Sequence, residues 1–311
     1  MKSQITTAID DHSKHFDLLI RSIANKFEPL QIFRFSKSSI IQTDQGCFNN
    51  DQVSFHCNYC LLLVTESATR IDYEVQDFVN SQYDQGLITV ICHGQKTIKE
   101  AIQANNRFFI SVFTSGNLLY SKDGITSSPP IPLFVPTKAA SKALKHYSYR
   151  LPLAEGFLLC ASECLEKEQY GIGAFMLHQA VEQTCICMVR VHIAYRSEFH
   201  NLYRLLRLCL CFSNRPYQLF LSTPEDERLF DVMAKSYSGA RYKDDFSVSK
   251  QDAESLFQRT RSFIDLATEM CEVKIKQLKQ QAAIFGVQHQ NQSCDTETAI
   301  KKETEVLQTN C

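Results

Sequence analysis

The chain has 311 residues, and its 44% hydrophobic and 22% charged composition is that of a packed protein long enough for two domains. A formal net charge of −1 excludes a polycationic nucleic-acid binder, though not a local basic patch. No continuous apolar run reaches the roughly 18 residues that a membrane span needs, and residues 1–10 turn acidic at once instead of forming a signal peptide. The expectation is a cytoplasmic protein with no membrane contact. Thirteen cysteines fit that setting as free thiols. Most fall inside helical apolar patterns, where a reduced cysteine acts as a small hydrophobe. Cys57 and Cys60 are the one Cys-x-x-Cys pair, with no second pair at zinc-ligand spacing, so no metal site and no cofactor are expected.

Residues 12–27 place Phe16, Leu19, Ile20, Ile23 and Phe27 on one helical face. Alternation predicts a strand over 30–35, and a longer one over 53–64 ends in the continuous apolar run Leu61-Leu-Leu-Val64. A helix over 71–84, a buried strand over 87–92, a helix over 98–104 and short strands over 108–113 and 118–121 follow. Strands alternating with helices indicate an α/β sheet domain over 1–126. Residues 127–136 hold four of the eight prolines, which makes them a stiff connector.

Residues 137–281, the mildly basic part of the chain, read as an all-α antiparallel bundle. Helical stripes run over 152–168, 171–194 and 200–211. Thr223-Pro-Glu-Asp226 supplies a cap, a proline at the first helical position and acids in the first turn, for a helix reaching about 238. Ser249-Lys-Gln-Asp252 opens the last helix. Residues 282–311 are rich in Gln, Thr and Asn with little period, and disorder is expected there. The fold class is therefore α+β in two domains.

Between two of these helices, residues 237–246 gather Arg241, Tyr242, Lys243, Asp244 and Asp245 just after Gly239. Arg241 and Lys243 could hold phosphates while Tyr242 stacks on a base. The alternatives are an ion pair for Arg241 and a hydrophobic plug for Tyr242. His178 falls on an inward stripe and reads first as a core histidine. His200-Asn201 reads as a helix start, and Gln179 and Gln183 as surface or dimer contacts. Arg190, Arg196, Arg204 and Arg207 form a basic cluster, read mainly as a solvated face.

Two family resemblances follow. The N-terminal order of helix, strand, Ser-containing segment Phe35-Ser-Lys-Ser-Ser39 and a strand leading into Leu61-Leu-Leu-Val64 resembles the minimal nucleotidyltransferase fold. That family has a Gly-Ser turn for nucleotide phosphates and an Asp-x-Asp for magnesium. Here the matching positions are Ser36 and Ser38, without glycine, and Asn58 and Cys60, without carboxylates. The resemblance thus implies a degenerate, non-catalytic domain; an unrelated small α/β domain is the alternative.

In the C-terminal half, Ala174-Phe-Met-Leu-His-Gln-Ala-Val-Glu-Gln183, His200-Asn-Leu202 and Ala240-Arg-Tyr242 resemble the HEPN domain (higher eukaryotes and prokaryotes nucleotide-binding), closest to its sacsin-like branch. The ribonuclease branch uses an Arg followed after four to six residues by a His. Arg241 has no such histidine. The resemblance implies a bundle that binds a nucleotide or RNA without cleaving it, as a homodimer through bundle faces, with Arg241, Tyr242, Lys243, His178 and His200 as ligand-binding candidates. Two alternatives stay open. One is a ribonuclease or nucleotidyltransferase with relocated catalytic groups, the other a dimeric protein-interaction module.

Overall fold

The computed structural model describes the backbone of residues 2–46, 49–67, 71–124 and 131–308, and side chains within 12–39, 57–67, 71–124 and 131–288. Helix α1 (Lys2–Phe27) buries Phe16, Leu19, Ile20 and Ile23 against one face of a four-stranded sheet. Strands β1 (Gln31–Gly46) and β2 (Asn49–Thr65) form a long antiparallel hairpin. After α2 (Asp72–Gln82), strand β3 (Gly86–Gly94) joins β2 in parallel. Helices α3 (Gln95–Gln103) and α4 (Arg107–Ser115) lead to β4 (Asn117–Ser121), which pairs antiparallel with β1, giving the order β3-β2-β1-β4.

The apolar run on β2 is continuous because the sheet is covered on both faces. Leu61 and Leu63 pack toward α1 and α2, whereas Leu62 and Val64 face the C-terminal half. Residues 108–113, expected as a strand, are helical in α4. Asn106 decides this: its side chain accepts from the Phe108 and Phe109 amides at 3.0 and 3.5 Å, a helix cap that a short apolar run conceals.

The C-terminal half is a helical bundle of α5 (Ala139–Glu166), α6 (Tyr170–Ile193), α7 (Leu202–Cys209), α8 (Arg215–Leu221), α9 (Pro224–Tyr242) and α10 (Lys250–Gln308). Helix α6 is apolar and long enough to cross a membrane, but here it is the buried centre of the bundle. The α9 start carries a reciprocal box: the Thr223 hydroxyl accepts from the Asp226 amide at 3.2 Å, and the Asp226 carboxylate accepts from the Thr223 amide at 3.1 Å. Short α8 was not apparent from the apolar pattern. Helix α10 continues to Gln308 through the stretch where disorder is expected, its backbone meeting no proline and one glycine, Gly286.

One apolar core runs through both halves. Phe33, Leu62, Ile91 and Phe108 belong to the same buried cluster as Leu202, Leu205 and Leu206. Polar contacts fix the arrangement. Arg204 Nη2 donates to the Val90 carbonyl on edge strand β3 at 2.7 Å, and Arg107 Nη2 donates to the Val191 and His192 carbonyls at 2.8 and 3.0 Å. The connector is described from Ile131 onward; its residues 127–130 lie outside the described part.

Candidate functional site

Helices α6 and α9 lie side by side, and the positions singled out in the sequence meet where α9 ends. The helix extends to Tyr242, so Arg241 stands on its last turn and not in a loop. Residues 237 and 241 are one helical turn apart and share a face. The Arg241 guanidinium lies 4.0 Å from the Tyr237 ring centroid, with the Tyr242 and Phe175 rings at 4.9 and 5.6 Å. Its Nε donates to the Tyr237 carbonyl at 2.6 Å. Among the described residues Arg241 has no acidic partner, so an ion pair does not explain its presence.

Tyr242 is 76% exposed and plugs nothing. The plug is Phe246, and Gly239 makes room for it: a Cβ there would stand 2.4 Å from the Phe246 ring. Lys243, an exposed C-cap, donates its backbone amide to the Gly239 carbonyl at 3.0 Å. Arg241, Tyr242 and Lys243 thus point a compact, exposed cationic and aromatic edge to solvent.

Behind this edge lies a buried polar band on α6. His178 is buried, its ring 5.0 Å from that of Tyr237, with Nδ1 3.2 Å from Gln179 Nε2. Burial, then the neighbouring Arg241 and His200, push its pKa down to about 4. A neutral imidazole with so low a pKa is a poor proton carrier near neutrality. One turn along, the Glu182 carboxylate is also buried and meets His200 Nδ1 at 3.0 Å, while its Oε2 has no hydrogen-bond partner. Asn201, not His200, caps α7, accepting from the Arg204 amide at 3.0 Å. The structure therefore brings His178, His200 and Arg241 into one neighbourhood and adds Tyr237, Phe175 and Glu182, which sequence reasoning did not select. The spacing from Tyr237 to Arg241 was the available signal.

Two readings need correction. Gln183 is buried and accepts from Arg150 Nη1, so it is not a surface contact. Arg204 is buried beneath β3 rather than solvated; its position depends on the sheet unit, which no local pattern reveals.

The nucleotidyltransferase-like positions are also displaced. Residues 35–39 make no turn, since β1 continues through them, with an irregularity at Phe35, and pairs Ser36 with Cys60 and Ser38 with Asn58. Asn58 Oδ1 accepts from the Leu87 amide at 3.3 Å. Cys60 is buried under the bundle, 3.4 Å from Cys211 Sγ. The hydrogen bond with Cys211 and burial raise the Cys60 pKa well above an ordinary thiol. No carboxylate stands at these positions to hold Mg²⁺, and no cluster of metal-ligating side chains occurs among the described residues.

The bundle with this corner defines a helical domain whose candidate site sits at the end of its fifth helix. Residues 147–271 match the family described as HEPN domain. No curated protein matches the chain. A solved nucleotidyltransferase-like protein from Exiguobacterium sibiricum 255-15 aligns over 86% of this chain and 80% of its own, at 10% identity and a TM-score of 0.26.

Proposed function

We propose that this protein binds a nucleotide or nucleic acid without turning it over, through its HEPN domain, and that its sheet unit is a degenerate nucleotidyltransferase-like body serving as scaffold. The observation that carries this is Arg241: an exposed guanidinium stacked on Tyr237, with Tyr242 beside it and no acidic partner among the described residues. Such a group matches a phosphate, and the free Tyr242 ring matches a base. Catalysis is disfavoured by two features. His178, beside Tyr237, is buried with a pKa near 4, and the positions that would hold metal ions are Asn58 and Cys60.

Homodimerisation belongs to the same reading. Helix α5 turns Tyr149, Leu153 and Leu159 outward around Gly156, where an added Cβ would meet nothing. An exposed mid-helix glycine costs about 1 kcal/mol relative to alanine. Close approach of α5 from a second copy would give that cost a use.

Calorimetry of the folded protein with ATP, GTP and a short single-stranded RNA tests the reading. At least one should bind, and the ligand should be recovered intact. Absence of binding by all three would sink it.

A further inference from the structure

Two chambers open between the sheet unit and the bundle, and both are lined by Arg107 and Phe134, where they adjoin. The first, about 140 Å³, is walled by Lys138, Lys142, His146 and Arg190. The second, about 450 Å³, is walled by Phe35, Phe108, Ser111, Ser115 and Lys274. No Asp or Glu lines either chamber among the described residues.

The first chamber concentrates positive charge without compensation. Arg107 is held in place by the Val191 and His192 carbonyls, which accept from its Nη2 but carry no charge. Arg190 Nη1 reaches His146 Nε2 at 3.5 Å, and its buried Nε has no partner. Lys138 and Lys142, both exposed, add two further cations to its lining. An anion would complement this lining. The second chamber differs in kind. Its aromatic walls and hydroxyls suit a flat group with polar edges, and its volume falls in the range of roughly 300–1,000 Å³ usual for small-molecule sites. A polyanion next to a flat aromatic group describes one common ligand class.

We propose that the paired chambers bind a nucleoside di- or triphosphate, with the base among Phe35, Phe108 and Phe134 and the phosphates against Lys138, Lys142 and Arg190. This deepens the nucleotide-binding reading, but at a site separate from the Arg241 corner. His178 and Arg190 are twelve residues apart on α6, about 18 Å along the helix. A nucleotide here would touch α4, the connector and α5 and α6 together, so its occupancy would tie the two halves of the chain.

Isothermal titration of the full chain with ATP, GTP and inorganic tripolyphosphate distinguishes the possibilities. Lys138 and Lys142 are exposed, so the charge-reversed pair Lys138→Glu with Lys142→Glu should fold, as circular dichroism can verify. ATP or GTP should bind the wild type and Arg241→Ala alike and should weaken at least about tenfold in the charge-reversed variant. Ser111→Trp, which fills the aromatic chamber, should block the nucleotide while leaving tripolyphosphate binding. Unchanged nucleotide affinity in the charge-reversed variant, or loss through Arg241→Ala alone, would overturn the inference. If RNA binds but no mononucleotide does, the inference falls and the broader reading stands; if neither binds, both fall.

Discussion

The Cys60 thiol on β2 lies 3.4 Å from the Cys211 thiol just past α7, so the bundle packs directly on this strand position. It is one of several contacts that join the two halves. Cys60→Asp places a charge in a fully packed position and should destabilise the protein by about 3 kcal/mol or more, measured by urea denaturation. A stable variant that binds Mn²⁺ would contradict this placement.

Arg204 makes the corresponding polar link. Its guanidinium donates to the Val90 carbonyl and lies 4.0 Å from the Phe199 ring centroid. Arg204→Ala removes a buried charged donor and leaves an edge-strand carbonyl bare, at a cost of about 2–3 kcal/mol. Because the halves share one core, wild-type unfolding should be a single transition by both fluorescence and circular dichroism. Two separated transitions in the wild type would show that the shared core does not couple them.

These interfaces mark what the sequence could and could not disclose. Apolar patterning located α6 and the segments of β2 and β3, and the residues Thr223 to Asp226 located the start of α9, because those signals are local. Helix α4 was misread because Phe108, Phe109, Ile110 and Val112 form a run too short to distinguish period 2 from period 3.6. Arg204 looked like a solvated residue since its partner is 114 positions away. Arg241 was visible as a charged break, but its stacking on Tyr237 required α9 to run one turn further than the sequence suggested.

His178 and His192 give the protein a pH signature. Burial is the main cause for both; Arg241 and His200 add to it for His178, and Lys274 and Arg107 for His192, leaving each pKa at about 4. In the unfolded chain each should titrate near 6.5. The unfolded state then takes up protons first, so the stability these groups supply is present above about pH 6.5 and is lost as pH falls toward 4, by up to about 3 kcal/mol each. Urea midpoints should fall from pH 7 to pH 5, and His178→Gln should flatten part of that slope. A His178 ring proton titrating near 6.5 by NMR would contradict the buried, neutral assignment.

The outward face of α5 makes a separate prediction. Tyr149 and Leu159 are 64% and 66% exposed, with open space at Gly156 between them. Light scattering after size exclusion should give a dimer mass for the wild type and a monomer mass for Leu159→Glu, with unchanged circular dichroism. A monomeric wild type at tens of micromolar (roughly the range of weak self-association) would remove this face as an interface.

The central claim is that the α9 end holds a phosphate-bearing ligand and leaves it chemically unchanged. Its most direct test is calorimetric titration of a short single-stranded RNA into the wild type and Arg241→Ala, with Mg²⁺ present and the RNA recovered for mass analysis. Saturable binding is expected, weakened about tenfold or more by Arg241→Ala, with full-length RNA at the end. Cleaved or extended RNA, or an affinity indifferent to Arg241, would contradict it.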